Sequence, residues 1–369
     1  MRIGILTPAP RVNYGGIMQA YALQTVLEQM GHDVKIIYTP RKPWGLPLWE
    51  KPFAYTKRFL RKYLLRRGNR VFVEQYENEI FPLISQHTQR FVDKYIHLFQ
   101  VDNFSQLKED DFDAIVVGSD QIWRPKYYDK IEESFLSFAH SWKIKRIAYA
   151  ASFGTDEWEY TPAQTTMCAN LVKLFDTVTV REESGVSLCK KHLGIAARHV
   201  LDPTLLLTQD DYLRLIQQSD APKSSGTLFH YILDDSPTKQ SIIRHIANER
   251  NLTPFHVNGK VYVRTAPLEN RIQSSVEQWL RGFMDAAFVV TDSFHGCVFS
   301  ILFKKPFVVI GNEKRGMARF QSLLKTFGLE NRLITADAIT HDTPINWNAV
   351  YTRIEEKRKE SMKELALLM

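Results

Sequence analysis

Five polar clusters carry the side chains of this 369-residue sequence that could bind or transform a ligand, and each follows a short apolar run. The richest is Val289-Val-Thr-Asp-Ser-Phe-His-Gly296, which leads into an apolar stretch over 297–303. A helix starting here takes Asp292 or Ser293 as its cap and puts His295 in its first turn. The imidazole then lies beside free N–H groups that attract anions, and a bound dianion favours its protonated form. That makes His295 a candidate general acid, with Ser293 and Gly296 beside the anion; the alternative is a histidine packed near a cap. In Val180-Arg-Glu-Glu-Ser184, Arg181 stands where a strand meets a helix. A guanidinium fork suits a carboxylate or phosphate, but pairing with Glu182 or Glu183 is equally open. Gly311-Asn-Glu-Lys-Arg-Gly-Met-Ala-Arg-Phe320 brings Arg315 and Arg319 to a Gly-containing basic loop, either an anion clamp or a solvated loop.

The other two clusters suit a neutral polyol. Asn13-Tyr-Gly-Gly16 offers a tight turn in which Gly15 and Gly16 let backbone approach a ligand, or else only a helix entry that needs glycine. Gly118-Ser-Asp-Gln-Ile-Trp123 places N–H groups, the Ser119 hydroxyl and the Asp120 carboxylate within one turn, with Trp123 available to stack on a sugar face. An Asx-type turn with a core tryptophan is the competing reading.

Strands and helices must bring these clusters together. A strand over 2–6, the glycine turn, a helix to residue 30 and a strand over 33–38 make a βαβ unit, so a parallel sheet is expected. A loop rich in Pro and Trp and a basic helical insertion at about 51–95 follow. Strands over 114–117, 146–150, 177–180 and 198–200 then alternate with helices over 162–175 and 182–192. The Asp-Pro step at Asp202 reads as a domain exit. A second α/β series has strands over 227–233, 253–257, 287–291 and 307–310 and helices over 209–217, 237–250, 275–285, 294–303 and 318–327. The expected division is an N-terminal Rossmann-like domain over 1–204, a C-terminal, donor-binding one over 205–340, and a charged terminal helix in 341–369 that returns to the first domain. In such sheets ligands bind beyond the carboxyl ends of the strands.

Composition narrows the function classes. With 44% apolar and 24% charged residues the chain can bury a core and is not disordered. Cys168, Cys189 and Cys297 form no CxxC pair and the histidines are scattered, so neither a disulfide framework nor a metal site is expected, and no cofactor is called for. Without a recognisable leader or membrane span, the default location is the cytoplasm. The net charge of +7 hints at nucleic acid, but residues 51–70 hold eight cations and no acid, and the remainder balances 40 cations against 41 acids. Nucleic-acid binding would rest on that run alone, which carries no known module. Phe59, Leu60, Tyr63 and Leu64 interleave with its cations as on a membrane-surface helix; a solvated helix packing its apolar side on the domain is the alternative.

Taken together, the clusters resemble the polysaccharide pyruvyl transferase family. The resemblance rests on Asn13-Tyr-Gly-Gly16 with Gln19-Ala-Tyr-Ala-Leu-Gln24, Val117-Gly-Ser-Asp-Gln-Ile-Trp123, Ala148-Tyr-Ala-Ala-Ser-Phe-Gly154, Val180-Arg-Glu-Glu-Ser184 and Leu201-Asp-Pro-Thr204. It continues through Ser275-Val-Glu-Gln-Trp-Leu280, Val290-Thr-Asp-Ser-Phe-His-Gly296, Lys305-Pro-Phe307 and Arg319-Phe-Gln-Ser322. The family implies two Rossmann-like domains facing across a cleft, similar to the GT-B architecture of glycosyltransferases. It also implies transfer of a pyruvyl group from phosphoenolpyruvate to a saccharide acceptor, free or lipid-linked, as a ketal. His295 then maps to the catalytic histidine and Arg181 to a donor arginine, while Ser293 stands where some relatives have arginine, a charge that Arg315 or Arg319 would have to supply. A GT-B glycosyltransferase using a nucleotide sugar and a catalytically silent carbohydrate-binding relative remain open alternatives.

Overall fold

Apolar runs such as Ala114-Ile-Val-Val117 and Thr177-Val-Thr-Val180 are buried along their whole length, as parallel strands covered on both faces must be. The computed structural model describes residues 1–66, 70–311, 316–334 and 343–366. The strands are β1 (Arg2–Leu6), β2 (Asp33–Tyr38), β3 (Leu98–Gln100), β4 (Ala114–Val117), β5 (Lys145–Ala151), β6 (Thr177–Val180), β7 (Arg198–His199), β8 (Leu228–Tyr231), β9 (Pro254–Phe255), β10 (Phe288–Thr291), β11 (Phe307–Ile310) and β12 (Leu333–Ile334). They form two parallel sheets, one in the order β3-β2-β1-β4-β5-β6-β7 and one in the order β12-β11-β10-β8-β9. The helices are α1 (Tyr14–Gln29), α2 (Lys51–Tyr63), α3 (Val73–Tyr95), α4 (Pro162–Val172), α5 (Glu183–Leu188), α6 (Gln209–Gln217), α7 (Pro237–Glu249), α8 (Val276–Asp285), α9 (Phe294–Leu302), α10 (Ala318–Phe327) and α11 (Trp347–Leu365). The expected α/β class with two Rossmann-like sheets is observed.

The edge strands β3 and β12 escape the sequence reading because runs of three and two residues carry no periodicity. The basic insertion is two helices rather than one region, broken between Tyr63 and Val73.

Strand order reverses between β1 and β4 in the first sheet and between β8 and β10 in the second, so each sheet has a crevice at that point. The two sheets meet there through packed side chains. Tyr14 stacks on Trp279 at 5.2 Å between centroids, and its hydroxyl donates to the Ser274 carbonyl at 2.9 Å. The buried Arg271 holds Glu77 through two bonds of 2.9 and 2.7 Å. Helix α11 touches both halves: the Leu201 amide donates to Ser361 Oγ at 3.0 Å, and the Tyr351 hydroxyl donates to the Leu302 carbonyl at 2.6 Å.

Trp123 corrects a sequence expectation. Its side chain is 0% exposed, stacks on Phe135 at 4.6 Å and donates from Nε1 to the Ser134 carbonyl at 3.1 Å. The turn after β4 directs the ring into the core, where its indole N–H is satisfied, so it cannot stack on a sugar. Trp123→Ala should therefore destabilise the fold by about 3–5 kcal/mol, read by chemical denaturation; a loss confined to ligand affinity would contradict this placement.

Candidate active site at the seam of the two sheets

The site begins with two helix starts. Asn13 caps α1 by accepting from the Gly16 amide at 3.3 Å, and Ser293 caps α9 by accepting from the Gly296 amide at the same distance. Both caps leave other first-turn N–H groups directed outward. These two termini meet across the seam: a Cβ built on Gly15 would lie 2.0 Å from His295 Nδ1. Only glycine lets the imidazole sit against the first turn of α1. Gly296 is required for a similar reason, since a Cβ there would lie 2.2 Å from Thr291 Oγ1.

The other face of His295 meets a carboxylate that the sequence reading missed as a site residue. His295 Nε2 lies 3.7 Å from Asp202 Oδ2, too long for a hydrogen bond but close enough for charge to act. Asp202 is itself fully engaged: Arg181 donates to it at 2.6 Å, and the Thr204 amide and hydroxyl donate at 3.0 and 2.6 Å. Burial alone pushes this carboxyl up, but His295, Arg181 and Thr204 outweigh it and hold the group far below the ordinary carboxylate range. Asp202 is therefore an ionised partner for the imidazole. Its legible signal was Asp-Pro-Thr, where an aspartate accepts from the amide two residues on.

Arg181 differs from the expected donor ligand. Its side chain is 1% exposed and pairs with Asp202, with Asp120 at 3.1 Å, and at 3.9 Å with Glu182, while its guanidinium lies 4.3 Å from the Phe294 ring centroid. Carboxylates occupy the fork, so the structure gives Arg181 a positioning role that ties the turn after β4 to Asp202. Glu182 accepts from the Ser152 hydroxyl, and burial pushes its carboxyl up despite Arg181. A second buried guanidinium, Arg319, lies 5.7 Å from the same Phe294 centroid. Burial and then the charge of Arg181 push its pKa down to about 10. Arg319 thus brings a second cation beside Phe294, the first residue of α9. Arg315 lies outside the described residues.

On the other side of Asp120 opens a cavity of about 730 Å³ beyond the carboxyl ends of β1 and β4, lined by Thr7, Asn13, Asp120, Gln121 and Tyr128 among others. Asp120 adopts a φ of +57°, which turns its carboxylate between this cavity and Arg181. Gln19 steadies the floor, donating to Thr7 Oγ1 at 2.7 Å and accepting from the Ser119 amide at 2.9 Å. The Ser119 hydroxyl donates to the Ala150 carbonyl, so this side chain supports the turn instead of facing the cavity. The structure therefore gathers Asn13, Gly15, Gly16, Asp120, Arg181, Ser293, His295, Gly296 and Arg319 at one seam. Among the described residues no group of three or more His, Cys, Asp or Glu side chains is arranged to hold a metal ion.

The Gly15–His295 contact has a direct test. Gly15→Ala should cost about 1–3 kcal/mol by overpacking, and His295→Ala in the same chain should relieve that cost. A denaturant-unfolding double-mutant cycle measures it, and simple additivity would show that the two residues do not meet.

This geometry has counterparts among known proteins. The chain matches the polysaccharide pyruvyl transferase family over residues 13–314. No curated protein matches it. Among solved structures, Arabidopsis thaliana UGT89C1 complexed with UDP-L-rhamnose is similar with a TM-score of 0.52 at 11% identity, covering 100% of this chain and 97% of that one. The UDP-GlcNAc 2-epimerase of Methanocaldococcus jannaschii has a TM-score of 0.47 at 13% identity, covering 96% of this chain and 92% of that one. At such identities the first likeness speaks for the GT-B-like fold alone. The family match takes in both helix starts, those bearing Gly15 and His295, and on it the chain belongs to the polysaccharide pyruvyl transferase family.

Proposed function

We propose that this protein moves the pyruvyl group of phosphoenolpyruvate onto a pair of hydroxyls of a saccharide, as a cyclic ketal, with release of phosphate. The observation that carries this reading is His295 held between Gly15 and ionised Asp202 at the N-terminus of α9, inside a chain of this family. The imidazolium gives its proton to the methylene carbon of the enol phosphate, which leaves C2 electrophilic. One sugar hydroxyl adds to C2 and returns its proton to His295. The C2–O bond to phosphate then breaks, a second hydroxyl closes the ring, and its proton leaves with the phosphate. Arg319 and the α9 N–H groups oppose the donor's negative charge, while Asp120 orients acceptor hydroxyls in the 730 Å³ cavity. Arg181 acts through Asp202 and Asp120.

His295→Ala should abolish phosphate release from phosphoenolpyruvate with candidate saccharides and remove the mass gain of a pyruvate ketal, with unfolding unchanged. Retained turnover in that variant would sink the assignment. Calorimetric titration separates the donor classes: phosphoenolpyruvate should bind, and UDP, GDP and CMP sugars should not compete with it.

The reading extends to where the acceptor is met. No residue of α2 is buried, and Trp49 and Phe53 are 79% and 76% exposed beside the exposed Phe59, Leu60, Tyr63 and Leu64. The apolar side of this helix therefore does not pack on the domain. Its cations and apolar rings suit the headgroup boundary of an anionic lipid leaflet, where the otherwise cytoplasmic enzyme would meet a lipid-linked acceptor. Among the described residues no helix is long and apolar enough to cross a membrane. Arg58 is committed to the buried Glu74 at 2.7 and 2.8 Å, so the test neutralises Lys57, Arg61, Lys62 and Arg66 instead. That variant should lose binding to phosphatidylglycerol vesicles and keep its turnover of soluble acceptors; undiminished binding would refute the contact.

A further inference from the structure

A second cavity, of about 850 Å³, opens on the seam between the chain after β2, helix α3 and the loop that precedes α8. Five cations line it: Arg11, Arg41, Lys42, Arg264 and Arg271. The first four form no ion pair with a carboxylate among the described residues. Arg11 donates to the Thr39 carbonyl at 2.8 Å, Arg41 lies 4.0 Å over the Phe81 ring, and Arg264 lies 3.9 Å over Trp44. The one acid on the wall, Glu77, is taken by both arms of Arg271. Burial and the like charge of Arg11 push the Arg41 guanidinium down, so an anion entering here relieves a repulsion already present.

The position of the cavity limits what that anion belongs to. It shares Ala9, Arg11, Asn13 and Lys42 with the cavity beside Asp120, so one elongated ligand can occupy both. At its far end it shares Glu77, Arg264 and Arg271 with a groove of about 1150 Å³ that Arg61, Lys62 and Arg70 line below α2. A continuous basic path thus runs from the exposed helix to the candidate active site.

We propose that the 850 Å³ cavity binds the diphosphate ester through which the acceptor saccharide is joined to its carrier, with the saccharide itself lying in the cavity beside Asp120. This rests on the reading of the protein as a transferase with a saccharide acceptor. Arginine forks stacked on aromatic rings suit phosphate oxygens, and four cations without acid partners suit a group of more than one negative charge. Either a polyprenyl or a nucleoside carrier would present the same chemistry.

The test titrates inorganic pyrophosphate into the full-length protein by calorimetry, with and without excess phosphoenolpyruvate. Wild type and His295→Ala should bind it alike, phosphoenolpyruvate should not displace it, and the double variant Arg41→Gln, Arg264→Gln should bind it at least about tenfold more weakly with unchanged unfolding. Pyrophosphate that fails to bind, binds the double variant equally well, or is displaced by phosphoenolpyruvate overturns the proposal. Geranyl diphosphate and UDP form the other two arms: tighter binding of one than of pyrophosphate, lost in the double variant, supports the site and names the carrier. The donor reading fails separately, if phosphoenolpyruvate does not bind while pyrophosphate still does.

Discussion

Two helix N-termini, one from each sheet, are pressed together at Gly15 and His295, and everything else at the site is arranged around that contact. Bringing two such termini together concentrates partial positive charge and unsatisfied N–H groups at one point. The contact tolerates no side chain on α1 at Gly15. It is held by interactions outside the site: Tyr14 on Trp279, Arg271 on Glu77, and α11 bound to the chain after β7 and to the end of α9. The seam is thus a packed interface in which the two crevices are kept in register.

Around it runs a chain of alternating charge. Asp120, Arg181, Asp202 and His295 follow one another in contact, with Glu182 and Arg319 flanking. Taking such groups from water is costly unless each is paired, and here the pairing leaves the imidazole at the end of the chain, facing the helix start. Removing any inner member would leave a buried charge without its partner. The guanidinium of Arg181 is consumed by carboxylates and holds Asp202 and Asp120 in position, while Arg319 brings a second buried cation beside Phe294.

The basic insertion follows different physics. No residue of its helix α2 is buried, although Arg58 anchors the helix to Glu74, and residues 51–70 hold eight cations and no acid. Lys62 of α2 and, along the seam, Arg41 and Arg264 lie over aromatic rings rather than beside acids. Such cations stay available to an incoming anion while their apolar faces are covered.

The sequence alone determined the two α/β series, the placement of His295 in a first turn and the concentration of charge in residues 51–70, because each is written in residue type and spacing over a few positions. It also carried the family's motifs. Only the tertiary structure decided what those residues touch. Trp123 and Arg181 each had two local readings of similar merit, and the choice between core and ligand, or carboxylate and donor, depends on elements far away in the chain: Phe135 for one, Asp202 for the other. Asp202 itself looked like a domain exit because its partner His295 is distant in sequence and arrives only when the second sheet packs on the first. Contacts across the seam have no local periodicity, so the pairing of Gly15 with His295 becomes visible only once both helix starts occupy the same space.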